Sequence, residues 1–164
     1  MRKNRIYLDT SVISHIDAPH KPIQEAVTKE FYRILDERAD EYELFISPVV
    51  LLEVDACPEP KQTKLLKLLQ NLNCTVLPES QEVNNLVRTY IEEKVLDAKH
   101  YRDLTHIAYA VIARCDYIVS WNFKHFVNPN TITRVNTVNR AYNYSTAYIV
   151  SPHVFTGELT NEND

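Results

Sequence analysis

Residues 102–121 read RDLTHIAYAVIARCDYIVSW. From Leu104 to Ala113 the run is apolar around most of a helical circumference, the pattern of a helix buried on several sides. Asp116 breaks it, and Tyr117-Ile118-Val119 follows as a short strand of aromatic and β-branched residues. A buried helix running into a short apolar strand is half of an alternating α/β unit, and the rest of the chain repeats the alternation. Arg5–Leu8 predicts a first strand, and after Pro19 and Pro22 the residues Ile23, Val27, Phe31 and Ile34/Leu35 recur at helical spacing. Leu44–Ile46 predicts a second strand. Ser47-Pro48 then places an N-cap residue before a proline at the first helical position, opening a helix that stops before Pro58 and Pro60. Leu65, Leu68, Leu69 and Leu72 line one face of a further helix, while the lysines between 61 and 67 read as its solvated side. Cys74–Leu77 is a third strand, and Val83 to Val95 carries a long amphipathic helix. TITRVNTVN (131–139) is expected to form a fifth strand and AYIVS (147–151) a short edge element or loop. Short strands alternating with helices predict a parallel sheet covered on both faces.

The composition narrows the function. A chain of 164 residues, 45% hydrophobic and 24% charged, is expected to form one domain with its own core. No stretch approaches a membrane span, and the basic start MRKNRIYLD meets an acid too soon to read as a secretion signal. Three widely spaced cysteines with no C-x-x-C pair fit reduced thiols and a cytoplasmic setting. The net charge of −4 argues against a protein that holds nucleic acid mainly by neutralising phosphates, so action on nucleic acid would need cations or a local basic rim. The single glycine, Gly157, excludes the glycine-rich phosphate cradle, the dinucleotide fingerprint and the G-x-S-x-G elbow, each of which needs several.

What remains is a set of carboxylates. Ligands of parallel α/β sheets gather beyond the carboxyl ends of strands, where strand order reverses. Asp9 ends the first strand in IYLDTSVIS (6–14), and a charge so near a dry core is costly unless compensated. Ser120, Trp121 and Asn122 finish the fourth strand on the same edge. Glu53 follows four apolar residues in the helix after strand two, and Asp103 opens the buried helix, where the helix dipole also favours an acid. Carboxylates brought together raise one another's pKa, and a divalent cation reverses that balance. Hard oxygen ligands without a cysteine or histidine cluster point to Mg²⁺ or Mn²⁺.

YLDTSVIS (7–14), SPVVLLEV (47–54) and RDLTHIAYAVIARCDYIVSWNFKHF (102–126) together resemble the PIN domain, in particular the VapC-like ribonuclease toxins of type II toxin–antitoxin pairs. The resemblance runs from Arg5 to Asn128. It implies a three-layer α/β/α sandwich with a mainly parallel sheet of four to five strands, extended C-terminally from about residue 129; the polar last residues TNEND (160–164) are themselves expected to be disordered. It implies Asp9, Glu53 and Asp103 as metal ligands. The family's fourth acid follows strand four in a T/S-x-D pattern, where this sequence has Ser120-Trp121-Asn122. Asparagine removes one charge, so the expectation is one tightly bound Mg²⁺ (or Mn²⁺), with a second recruited alongside substrate. The implied reaction is hydrolysis of an RNA phosphodiester by metal-activated water. The implied partners are RNA, a small antitoxin protein and a second copy of the chain, with the leucine-rich region between Lys61 and Val95 as the dimer surface.

Several residues have two readings. Asp9 is also good capping chemistry for the segment after it. Thr10 and Ser11 either bond Asp9 or a metal water, or only cap. Ser120 orients water or phosphate, or is structural. His106, one turn after Asp103, is spaced for shared ligation, but a packed histidine bonded to backbone is the blander alternative. Lys124 and His125 either contact phosphate or belong to a solvated loop. Trp121, Tyr142, Tyr144 and Tyr148 stack bases or pack the C-terminal segment, and Asp116 reads as a turn residue outside the site. Two other functions fit the same residues: a housekeeping PIN nuclease acting in RNA processing, and a catalytically weak PIN-like module that binds RNA or protein, which Asn122 favours.

Overall fold

A computed structural model describes residues 1–157; the expected disordered tail, 160–164, lies outside them. The centre of the sheet is β1 (Asn4–Leu8), where Ile6, Tyr7 and Leu8 are fully buried. An apolar run with no polar alternation is what a strand covered on both faces requires. β2 (Tyr42–Ile46) lies parallel to it on one side with Ile6 opposite Leu44, and β4 (Tyr117–Val119) parallel on the other with Leu8 opposite Val119. β3 (Cys74–Val76) and β5 (Tyr148–Val150) complete a parallel sheet of order β3-β2-β1-β4-β5. The chain winds outward from β1 to β3, then returns to lay β4 against the free side of β1. The topological switch therefore falls between the carboxyl ends of β1 and β4.

Alternation along the strands sorts the core into two layers. Tyr7, Phe45, Ile118 and Ile149 face α5 (Gln81–Glu92), α6 (Tyr101–Ile112) and α7 (Pro129–Ala141), meeting Leu86, Tyr90, Leu104, Ile107 and Val135. Ile6, Leu8, Leu44, Ile46 and Val119 face the other way. There they meet α1 (Thr10–Ser14), α2 (Pro22–Glu37), α3 (Pro48–Asp55), α4 (Lys61–Asn71) and α8 (His153–Thr156), through Val12, Phe31, Val50, Leu65 and Phe155. The result is the expected three-layer α/β/α sandwich. The opening stretch behaves as it reads: α6 buries Leu104 and every residue from His106 to Val111, between the sheet and α5.

One expectation is overturned. TITRVNTVN is not a strand but the body of α7. Its alternating threonines and valines imitate a period of two, yet Thr131, Val135, Val138 and Asn139 are the buried positions, spaced three and four apart. The start is fixed by Asn128, whose side chain accepts from Thr131 N–H, with Pro129 at the first helical position. The fifth strand is instead Tyr148–Val150, within the segment expected to be an edge element or loop. Residues 129–157 thus supply an edge strand and one helix to each face.

Candidate active site

Asp9 is the first residue past β1 and is only 5% exposed. It occupies the N-cap position of α1 but makes no side-chain capping bond. Its Oδ2 instead accepts hydrogen bonds from Ser11 Oγ at 2.7 Å and Ser120 Oγ at 2.8 Å. Each hydroxyl is fixed from behind: Trp121 N–H donates to Ser11 Oγ and Asn122 N–H to Ser120 Oγ. The ends of β1 and β4 are thereby tied together through one carboxylate, at the switch point.

The other oxygen of Asp9 faces His106. His106 Nε2 lies 3.5 Å from Asp9 Oδ1 and 2.6 Å from Glu53 Oε1, with the imidazole 2% exposed. Thr10 Oγ1 also donates to Glu53 Oε1. On the far side of the ring, Nδ1 is 2.6 Å from Tyr7 Oη, which is 2.7 Å from Ser47 Oγ. Ser47 and Pro48 take the expected N-cap and first helical positions of α3, but the hydroxyl makes no capping bond and is spent on Tyr7. His106 is thus buried, as its apolar neighbours demand, but its partners are side chains of the site and not backbone. Burial disfavours its charge, yet the bond to Glu53 and the charges of Asp9, Glu53 and Asp103 outweigh this and raise its pKa. Glu53 shifts in the complementary sense: burial alone would raise its carboxyl, but His106 and Thr10 bring it below its ordinary value. As an imidazolium, His106 donates from Nε2 to Glu53 and from Nδ1 to Tyr7, whose hydroxyl in turn donates a hydrogen bond to Ser47 Oγ.

Asp103 stands apart from this network. Half-buried on the first turn of α6, it has His125 Nδ1 2.9 Å from its Oδ2. Burial raises its carboxyl and Asp9's charge adds to the rise, against the pull of His125 and His106. Asn122 directs its amide oxygen to His125 N–H at 2.9 Å, holding the loop after β4. Lys124 is exposed, whereas His125 is turned inward onto Asp103. Trp121 is 5% exposed, its Nε1 donating to Thr28, so it packs the domain and offers no face to a base. Asp116 sits at the opposite end of the sheet, bonded to Arg2 and to the Arg5 backbone.

Tyr7, Ser47, His100 and Arg102 were not read from the sequence as site residues. Tyr7 and Ser47 look like ordinary strand and cap residues, and only their packing against His106 gives them a part. His100, 3.9 Å from Asp103, carried a signal in its i,i+3 spacing to that acid.

Asp9, Glu53 and Asp103 come from three separate elements but do not close into one donor cluster: Asp9 and Glu53 meet on His106, while Asp103 joins His100 and His125, the group among the described residues whose ligand atoms lie within 4.8 Å of one another. Asp103 is pushed toward protonation partly by Asp9, a repulsion that a cation would relieve.

Fold and site together define a three-layer α/β/α protein with a cluster of acidic side chains at its switch point. No family model matches the sequence, and no curated protein matches it. Among solved structures, the fold is similar to VapBC2 from Rickettsia felis bound to a DNA fragment from their promoter. That likeness has a TM-score of 0.57 at 17% identity and covers 90% of this chain and 98% of that one. No helix among the described residues is long and apolar enough to cross a membrane.

Proposed function

We propose that the protein is a metal-dependent endoribonuclease of the PIN type, the toxin of a type II toxin–antitoxin pair. The observation that supports it most is the meeting of Asp9 and Glu53, from two elements, on one imidazole at the switch point, with Asp103 in electrostatic reach. Asp9, Glu53 and Asp103 would hold Mg²⁺ or Mn²⁺. When bound, such an ion supplies charge neutralisation at a phosphoryl group and activation of water. The protein's own part is preorganisation. Ser11 and Ser120 fix the Asp9 carboxylate, Thr10 fixes Glu53, and His106 Nε2 holds a proton between the two acids. Arg102, exposed and near enough to Glu53 to help lower its carboxyl, and Lys124, exposed and next to the His125 that bonds Asp103, would supply positive charge for an RNA backbone in an otherwise acidic protein. Asn122, its oxygen engaged by the His125 backbone, is a positioning residue in this scheme. The resemblance to VapC-like toxins and the fold likeness to a toxin–antitoxin complex support a small antitoxin protein and a second copy of the chain as partners.

The test is cleavage of single-stranded RNA by purified protein in Mg²⁺ or Mn²⁺, beside Asp9→Asn and Asp103→Asn. Cleavage by the parent alone is expected; equal cleavage by all three would end the nuclease reading. Asn122, with no charge to offer, favours a second reading, an RNA- or protein-binding module. Tight RNA binding without cleavage in any metal would establish it.

A further inference from the structure

At the rim of the acidic cluster, two imidazoles and one carboxylate meet in a way the acidic core does not require. One ligand atom each from His100, Asp103 and His125 lies within 4.8 Å of the other two. Nδ1 of His125 is 2.9 Å and Nδ1 of His100 3.9 Å from the same Oδ2 of Asp103. The two rings lie 4.0 Å apart between centroids. Bonds of about 2.0–2.1 Å to a tetrahedral metal hold its ligand atoms roughly 3.4 Å apart, so these separations bracket what an ion would draw together.

The three residues come from two segments that the fold holds independently. His100 is the N-cap residue of α6 and ends a short 3₁₀ turn (Ala98–His100), placing it one turn before Asp103. His125 belongs to the loop after β4, pinned by its own N–H to Asn122 and by the Asn128 amide to the carbonyls of Phe123 and Lys124. All three are half-buried, with side-chain exposures of 26%, 25% and 19% for His100, Asp103 and His125. An ion there would be reached from solvent and keep a position open for water or a substrate oxygen. The sequence, read by spacing, held no histidine cluster; the tertiary structure makes one.

The donor set decides the metal. Mg²⁺ takes oxygen ligands and keeps its waters, and two imidazoles do not suit it. Two imidazole nitrogens and one carboxylate with an open position are the ligands of Zn²⁺ and its first-row neighbours. We infer that His100, Asp103 and His125 form a transition-metal site of the two-histidine, one-aspartate type, selective for Zn²⁺ over Mg²⁺. Its ligands do not depend on what the acidic cluster does; the site touches the proposed nuclease only through Asp103, which both would use.

The experiment is equilibrium dialysis of the full chain against Zn²⁺ with excess Mg²⁺ present, together with Co²⁺ as a coloured probe of coordination. One Zn²⁺ per chain is expected, with Co²⁺ giving the intense visible bands of a low-coordinate nitrogen–oxygen site. His100→Ala and His125→Ala should each weaken binding by more than the ~10–100-fold typical of outer-shell losses. Asp9→Asn and His106→Gln should retain it. Circular dichroism identifies any variant that has not folded, and His100→Gln and His125→Gln then take its place. Absence of Zn²⁺ binding by the parent, binding indifferent to both histidine substitutions, or loss with Asp9→Asn alone would each overturn the site. Because no RNA is present, failure here is distinct from failure of the nuclease reading.

Discussion

The deep and outer halves of the acidic cluster handle negative charge in opposite ways. In the deep half, Asp9 and Glu53 are already answered by the protein: His106 stands between them, and three hydroxyls complete their bonding. In the outer half, Asp103 carries a raised pKa with two half-buried histidines beside it. The deep group is anchored by Asp9 and His106, both buried, with Glu53 half-buried at its margin. The outer group is half-buried throughout and has no fully buried anchor. One half is thereby suited to hold geometry, and the other to exchange what it binds.

The strongest way to break this comparison is through chemistry. Asp9→Asn keeps the shape and removes the charge, and should lower RNA cleavage by more than the ~10–100-fold of an outer-shell change. A single-turnover assay reads it, and a loss smaller than tenfold would move the catalytic centre elsewhere.

Stability separates the halves next. His106→Ala leaves Glu53 and Asp9 without their buried partner and opens a cavity. It should destabilise the fold by about 3 kcal/mol, the low end for a broken buried pair because Glu53 is partly exposed. His125→Ala at the rim should cost no more than about 1 kcal/mol. Urea titration of both variants tests the contrast, and equal losses would abolish it.

A pH series sharpens the same point in metal-free protein. Glu53 has a lowered folded pKa, so its contribution is present above its ordinary 4.5 and lost as pH falls through the lowered value. His106 has a raised folded pKa, so its contribution is complete below its ordinary 6.5 and lost as pH rises through the raised value. The His106 contribution should therefore decline on the alkaline side above 6.5, separate from the acid range where Glu53 and the raised Asp103 carboxyl act in opposite directions. Thermal melts should show that alkaline decline in the parent and not in His106→Ala.

The smallest expected effect lies far from the acidic cluster. Burial pushes the Cys115 thiol up to about 12, while Cys57 and Cys74 are only half-buried. A thiol reagent at pH 8 should modify Cys57 first, Cys74, whose thiol is also raised by burial, more slowly, and Cys115 only on unfolding.

The layered fold was legible in the sequence because burial leaves a periodic trace. The apolar circumference of α6 and the unbroken Ile6-Tyr7-Leu8 each state how many sides are covered. The one misread element, α7, fails for the same reason in reverse: threonine and valine at every second position read as a strand, while a capping asparagine and N1 proline decided for helix. The acids of the cluster were legible as residues at the ends of elements, since topology alone carries Asp9 and Ser120 to one edge.

Which of those side chains bond to one another was not legible. A sequence states where a strand stops but not the angle at which a helix passes over it. His106 could be read as packed or as a ligand until α6 was seen to set its ring between Asp9 and Glu53. His125 could be read as solvated until its loop was seen to turn it onto Asp103. Periodicity determined the layers, because it depends only on which face each residue takes. Packing decided the site, because hydrogen bonds of 2.6–2.9 Å depend on distances no spacing along the chain can encode.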